Sequence, residues 1–286
     1  MSSLKEIKSR IQSVKSTQKI TSAMKMVSSA KLRKAEKAVN GYLPYQQEMN
    51  RILRSYLSSD IEVPSIYAQI RDVKRVAVVV FASNSSLCGS YNANLIKRMH
   101  QSIVMHRDVR KEDVVVFPVG KKVAQAALKM ELKVAGNFEH LSATPSFDQA
   151  QELANTLMNM FVNNEIDRVK VIFYHYESKG KQILTVDTFL PIQLEYSQPG
   201  EMQTDYIIEP SREEIINTLI PMVLRLKIFA SALDAAASEH AARTVAMQTA
   251  TENADDILQT LTLQYNKTRQ QSITNELLDI VGASFK

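Results

Sequence analysis

The chain has 286 residues, 45% hydrophobic and 23% charged, a composition too apolar for disorder and large enough for one sizeable domain or two modest ones. Seven glycines, eight prolines and no tryptophan, against twelve methionines, favour long helices over a sandwich of short strands. One cysteine, Cys88, excludes an internal disulfide and a cysteine-built zinc site and fits a reducing compartment. No run approaches the roughly 20 apolar residues that span a bilayer, and the first residues lack the apolar core of a signal peptide. The net charge of +5 is unevenly spread: residues 1–58 carry twelve Lys/Arg against three Asp/Glu, while the middle and the C-terminal 76 residues are each slightly acidic.

In chain order, residues 1–58 read as one long helix. Leu4, Ile7, Ile11 and Val14 repeat with the 3,4,3 spacing of a coiled-coil seam. The seam turns polar at Gln18 and Thr21, and Ile20, Met24 and Val27 resume it with shifted phase. Pro44 is expected to kink or interrupt this helix, because proline lacks the amide that bonds four residues back.

Residues 70–200 have a different rhythm. Apolar, β-branched runs at 75–81 and 114–117 read as buried strands, and 169–174 and 183–186 as later strands that could pair directly. Helices are expected at 91–106, 121–130 and 147–162, the last with Leu153, Leu157, Met160 and Phe161 as its apolar stripe. This alternation predicts a small α/β layer domain with a largely parallel sheet. From Pro210 onward, Ser211 and Glu214 form a capping box, and Pro221 predicts a kink or a fresh start near Met222. Beyond it, Ala250, Ala254, Ile257, Leu258, Leu261 and Tyr265 supply an apolar stripe on a helix kept thin by alanine, so two long terminal helices could zip together. The segments are thus 1–58, 70–200 and 210–286, an N-terminal coiled-coil helix, an α/β domain and a C-terminal coiled-coil helix.

Little here suggests catalysis. Neither a Walker loop nor a GxGxxG turn occurs, and the turn at Leu87-Cys88-Gly89-Ser90 has a single glycine, so it reads as a structural turn. The five histidines form no HExxH pair, and Glu252, Asp255 and Asp256 read as a solvated acidic face. No cofactor and no metal are expected. The basic helix has no aromatic residue before Tyr42 to stack on bases, and its narrow seam lacks the anchors of a membrane-surface helix. Lys15, Lys19, Lys25 and Arg33 on a coiled coil therefore point to an acidic protein surface, with no nucleic acid and no direct membrane contact.

Residues 11–33, IQSVKSTQKITSAMKMVSSAKLR, closely resemble the N-terminal helix of the gamma subunit of F-type ATP synthases. Residues 239–253, EHAARTVAMQTATEN, and 266–283, NKTRQQSITNELLDIVGA, resemble the C-terminal helix of the same family, and LCGSYNANL at 87–95 matches its middle. Ser90 stands where the family often has a second glycine, and the cysteine-bearing insertion of chloroplast gamma subunits is absent.

The resemblance implies an antiparallel coiled coil of two terminal helices with an inserted Rossmann-like α/β domain. It implies a non-catalytic rotor subunit that couples ion-driven rotation of a membrane c ring to ATP synthesis or hydrolysis at the beta subunits. The partners would be three alpha and three beta subunits, epsilon and the c ring, at the cytoplasmic face of a bacterial inner membrane. Met24, Arg243, Arg269, Gln270, Thr274 and Glu276 match positions of coupling or beta-subunit contact, and Tyr206 and Glu209 fall where the family's foot meets the c ring or epsilon. The alternatives are a non-rotary coiled-coil adaptor for an acidic protein partner and a small-molecule enzyme using the α/β domain, with the turn at Cys88-Gly89 as its site.

Overall fold

The computed structural model describes residues 4–57, 65–105, 110–192 and 211–284. Two helices dominate: α1, Leu4–Leu57, and α6, Arg212–Ser284, of 54 and 73 residues. Between them in chain order lie β1 (Val76–Phe81), α2 (Tyr91–Val104), β2 (Val114–Val119), α3 (Lys121–Lys129), β3 (Lys133–Val134), α4 (Glu139–Ala143), α5 (Phe147–Val162), β4 (Arg168–Ser178) and β5 (Lys181–Leu190). The chain forms two compact units: residues 1–29 with 243–286, and residues 30–242. These units follow packing, whereas the segments 1–58, 70–200 and 210–286 follow the rhythm of secondary structure.

The larger unit is built on a five-stranded sheet of order β3-β2-β1-β4-β5, parallel except for the antiparallel pair β4–β5. Period-2 alternation sends the two sides of each strand into separate cores. Ala77, Val79, Phe81, Phe117 and Val171 pack with α5, Leu53 of α1 and Ile216 to Ala235 of α6. Val76, Val78, Val80, Val116 and Ile172 pack with Tyr91, Leu95 and Met99 of α2 and Val123 of α3. The sheet is thus a layer between helices, as the β-branched runs predict. At Gly120 the backbone has φ +122°, and a Cβ there would lie 2.1 Å from the Ala82 carbonyl oxygen, so only glycine lets β1 and the start of α3 approach so closely.

Neither proline interrupts its helix or starts a new one. Helix α1 runs through Pro44 and α6 through Pro221 without a break in helical structure. A proline removes one backbone hydrogen bond, a small loss beside the many that the long helical runs on either side can form. Helix α6 begins ten residues earlier than Met222, and the Ser211 hydroxyl accepts the Glu214 amide at 3.2 Å, the forward half of the capping box. The apolar stripe of α5 is also wider than expected, since Ala150, Ala154 and Met158 are buried while Met160 is only partly so. One 18-residue window within 214–281 of α6 reaches a mean hydropathy of 1.5, long and apolar enough by composition to cross a bilayer. The expectation that no such stretch exists counted uninterrupted apolar residues and missed this window. A core helix meets the same criterion, and Ile216, Ile220, Leu224 and Ile228 of α6 are fully buried in the larger unit.

Candidate functional site

In the smaller unit, the ends of α1 and α6 pair antiparallel. Gln18 Nε2 donates to Asp255 Oδ1 at 2.8 Å, and Thr21 Oγ1 meets Thr251 Oγ1 at 2.9 Å, so descending α1 ascends α6. On α1, Ile7, Thr21 and Ser28 are buried, and Ile11, Val14, Gln18 and Lys25 are half-buried. These positions keep one uninterrupted 3,4 alternation. The phase shift expected after Val14 does not occur: Ile20 and Val27 are 60% and 58% exposed. The seam instead passes through polar residues, because Gln18 and Thr21 find hydrogen-bond partners across the interface and so remain satisfied when covered.

Helix α6 answers with Met247, Ala254 and Leu261 buried and Thr251, Leu258, Tyr265 and Thr268 half-buried. Ile257, expected in the stripe, is 47% exposed. The small residues facing one another keep the seam narrow, and the large apolar residues Ile20, Met26, Val27, Ile257 and Leu263 lie outside it. Such side chains on a two-helix coil await a covering surface.

The expected contact residues fall into distinct settings. Met24 and Lys25 are half-buried, Lys25 at a seam position rather than on an open basic face. Lys15 and Lys19, one turn apart, are exposed, as is Arg33 on the part of α1 that belongs to the larger unit. Arg243 is only 8% exposed, so its guanidinium is held within the chain. Arg269, Gln270, Thr274 and Glu276 are all exposed on α6, with the Thr274 hydroxyl donating to the Gln270 carbonyl at 2.9 Å. Tyr206 and Glu209 lie outside the described residues.

Those four α6 residues share a surface with apolar neighbours that sequence reasoning did not single out. Continuing the antiparallel register, Leu4 stands level with about residue 269 of α6, and every described side chain from Ile273 to Val281 is exposed. At about 100° per residue, Arg269, Gln270, Ile273, Thr274, Glu276, Leu277, Ile280 and Val281 occupy one sector about 160° wide. Gln271, Asn275 and Asp279 lie on the other side. The end of α6 therefore exposes Ile273, Leu277 and Ile280 beside these four polar residues, with Leu278 exposed outside the sector. The 3.6-residue periodicity of Ile273, Leu277, Ile280 and Val281 was the signal that could have found it.

The turn after β1 is occupied by its own side chains. Cys88 is buried, Asn92 Nδ2 donates to its sulfur at 3.1 Å, and the Ser83 hydroxyl donates to the Ser85 carbonyl at 2.5 Å. Asn84 Nδ2 donates to the Glu139 carbonyl at 2.9 Å and Ser142 Oγ to the Ala82 carbonyl at 2.7 Å, so α4 closes over the strand end. Among the described residues no group of three or more His, Cys, Asp or Glu could hold a metal ion.

A family profile described as ATP synthase matches residues 3–284. An ATP synthase gamma chain of Bacteroides thetaiotaomicron is 53% identical, with 100% of each chain covered. That of Bacteroides fragilis is 52% identical over 99% of each. The chain belongs to this family. Its fold also resembles the rotor of the Euglena gracilis mitochondrial ATP synthase, with a TM-score of 0.64, 19% identity and 94% and 98% of the two chains covered. A further Euglena gracilis structure, comprising OSCP, F1 and c ring, contains a chain matching with a TM-score of 0.68 at 20% identity, covering 98% of this chain and 93% of that one. At such identity the likeness establishes a shared fold. It agrees with long N- and C-terminal helices around a central mixed sheet in this member of the family.

Proposed function

We propose that this chain is the central-stalk rotor subunit of an F-type ATP synthase. It couples ion-driven rotation of a c ring to ATP synthesis or hydrolysis at beta subunits. The observation that carries the reading is the paired-helix unit: a seam with polar rungs, large apolar side chains facing outward, and an α6 end that exposes Ile273, Leu277 and Ile280 beside Arg269, Gln270, Thr274 and Glu276. A shaft of this kind works by contacting each beta subunit differently at each angle, which changes the relative free energies of their conformations. Family membership displaces the adaptor reading.

The partners in this reading are three alpha and three beta subunits, epsilon and the c ring. The chain contributes no catalytic residue of its own, and it sits at the cytoplasmic face of the membrane through the complex. Arg269, Gln270, Thr274 and Glu276 are the contacts to beta on the α6 face, Lys15 and Lys19 meet acidic surface, and Met24 lies near a beta loop. Arg243, being buried, acts by holding α6 in place. Residues 1–58 and 210–286 serve as the shaft helices and 70–200, with Tyr206 and Glu209 after it, as the foot.

The test is steady-state ATP hydrolysis by alpha and beta subunits of the same organism, with and without this chain. A stable complex with a large rise in turnover is expected; competent subunits that neither bind nor respond would refute the reading. Within the complex, Met24→Lys is expected to lower proton pumping more than hydrolysis, by adding a cation able to form an angle-dependent ion pair with a beta carboxylate. A proportional fall in both would count against that role.

A further inference from the structure

Toward its end, strand β4 meets α6, and polar bonds hold the two together. The Ser238 hydroxyl of α6 donates to the Tyr174 carbonyl at 3.0 Å, and the Tyr91 hydroxyl of α2 donates to the Ala235 carbonyl at 3.0 Å. Tyr91 also stacks on Tyr174. The next residue along the strand, His175, sets Nδ1 2.6 Å from Asp234 Oδ2. The Tyr176 amide donates to the same carboxylate, and the Tyr176 hydroxyl donates to Glu36 of α1. Three consecutive residues of one strand thus hold both long helices, within about two turns of residues 30 and 242, where the larger unit ends.

The two arms of this joint differ in chemistry. The Tyr176 phenol, pushed up to about 12, keeps its proton throughout the neutral range, so the arm on α1 is constant there. Histidine is the side chain whose charge ordinarily changes between about pH 5 and 8. The imidazole of His175 is 53% exposed and can exchange its proton with solvent, whereas the Asp234 side chain is only 15% exposed. Burial pushes the Asp234 carboxyl above the ordinary carboxylate range, against the lowering effect of the His175 hydrogen bond and charge and of the Tyr176 amide. An ionised carboxylate so desolvated is costly without a counter-charge. Among the described residues, the other charges on the elements that meet here are engaged elsewhere or turned to solvent. Glu177 pairs with Lys181 and Lys227 with Asp187, each at 2.8 Å, Glu36 takes the Tyr176 hydroxyl, and Glu239 acts on Tyr91. Lys179 at the β4–β5 turn and Arg33, Lys34 and Lys37 of α1 are exposed.

From this pairing of an exposed imidazole with a largely buried carboxylate, we propose that His175 is a positioning residue that makes the hold of β4 on α6 pH-sensitive. With the imidazole charged, Nδ1–H donates to ionised Asp234 in a charge-assisted bond. With it neutral, a hydrogen bond at most remains, and the carboxylate has lost the positive charge beside it. Both partners give the same sign. A histidine held by a carboxylate loses that stabilisation as pH rises, and a buried acid whose pKa is raised costs more once ionised. The hold is therefore tight on the acid side of neutrality and looser on the alkaline side. The joint follows from the chain's own packing and stands independently of the stalk reading. Under that reading it is where the α/β domain passes torque to α6, so the rotor would be stiffer at lower pH.

The experiment measures amide hydrogen exchange in the full-length chain at about pH 6 and about pH 8, on either side of the ordinary histidine titration. Wild type is compared with His175→Lys, charged at both values, and His175→Gln, neutral at both, each first checked for an unchanged thermal melt. Protection factors, which divide out the intrinsic exchange rate, are read at the Tyr176 amide and across residues 234–238, with strand β2 as the internal reference. Wild type should match the lysine variant at the lower pH. At the higher pH it should be about threefold or more less protected than that variant and match the glutamine variant, with β2 unchanged. The same pH response in all three chains, a wild-type loss on the acid side, or an equal loss in β2 would overturn the proposal. Failure of alpha and beta to respond to this chain in the hydrolysis assay would remove the stalk reading and leave this result as it stands.

Discussion

The same chemical change, glycine to alanine, should have opposite signs at two positions of this chain. At Gly120 the backbone combines φ +122° with ψ 146°, a region that is essentially glycine-only and costs other residues of order 1–3 kcal/mol. The added methyl would also lie 2.1 Å from the Ala82 carbonyl oxygen and 2.8 Å from its carbon. Both are backbone atoms at the end of β1, so no side chain can swing away. Relief requires moving the turn, which loosens the Ala82 amide to Val119 carbonyl bond of 2.8 Å and the Lys122 amide to Ser83 carbonyl bond of 3.2 Å. Each such bond contributes about 1 kcal/mol net, so Gly120→Ala should cost about 3–5 kcal/mol, a large share of an ordinary domain's stability. Gly41 lies inside α1 with nothing within 4 Å of an added Cβ. There Ala should stabilise by about 0.5–1 kcal/mol through helix propensity alone. Urea unfolding followed by near-ultraviolet circular dichroism would report the larger unit through its stacked Tyr91 and Tyr174, whose ring centroids are 4.9 Å apart. A Gly120→Ala midpoint indistinguishable from wild type, or a Gly41→Ala midpoint well below it, would refute the reasoning.

Leu261→Ala, at a seam position 5% exposed, should cost about 2–4 kcal/mol in the smaller unit, seen as faster amide exchange in residues 247–265 with residues 76–81 unaffected. The Thr21 and Thr251 hydroxyls each also bond a carbonyl of their own helix, Gln18 at 3.0 Å and Met247 at 2.8 Å, so neither is orphaned when the other is replaced, and Thr21→Val should cost only about 0.5–1.5 kcal/mol by calorimetry; a loss well above that would refute it. Burial, with a hydrogen bond from its hydroxyl to Glu36, pushes the Tyr176 phenol up to about 12 from 10.0. The folded chain therefore holds this proton longer than the unfolded one, so its stabilisation is complete below pH 10 and fades as pH rises toward about 12. Tyr176→Phe should remove one late-titrating phenol from the absorbance at 295 nm and flatten stability between pH 10 and 12.

Much of this architecture is legible along the chain because local chemistry dictates it. Continuous β-branched apolar runs at 75–81 and 114–117 read as strands buried on both faces, and β1 and β2 are so buried, while Phe147–Val162 is a helix with the bounds its periodicity predicts. The shaft motifs are equally readable, since coiled-coil repeats and family signatures are short-range patterns. Other features needed the packed chain. Hydrophobicity alone moved the α1 seam onto Ile20 and Val27, but the partner helix supplies Thr251 and Asp255, and their hydrogen bonds make Thr21 and Gln18 the cheaper residues to cover. Pro44 and Pro221 are absorbed because the helical bonds on either side outweigh the one each removes. The exposed face of α6 beyond Ser272 depends on where α1 begins opposite it. Periodicity determines which residues of an element can be buried; which of them are covered depends on neighbours far away in sequence, and that only the tertiary structure decides.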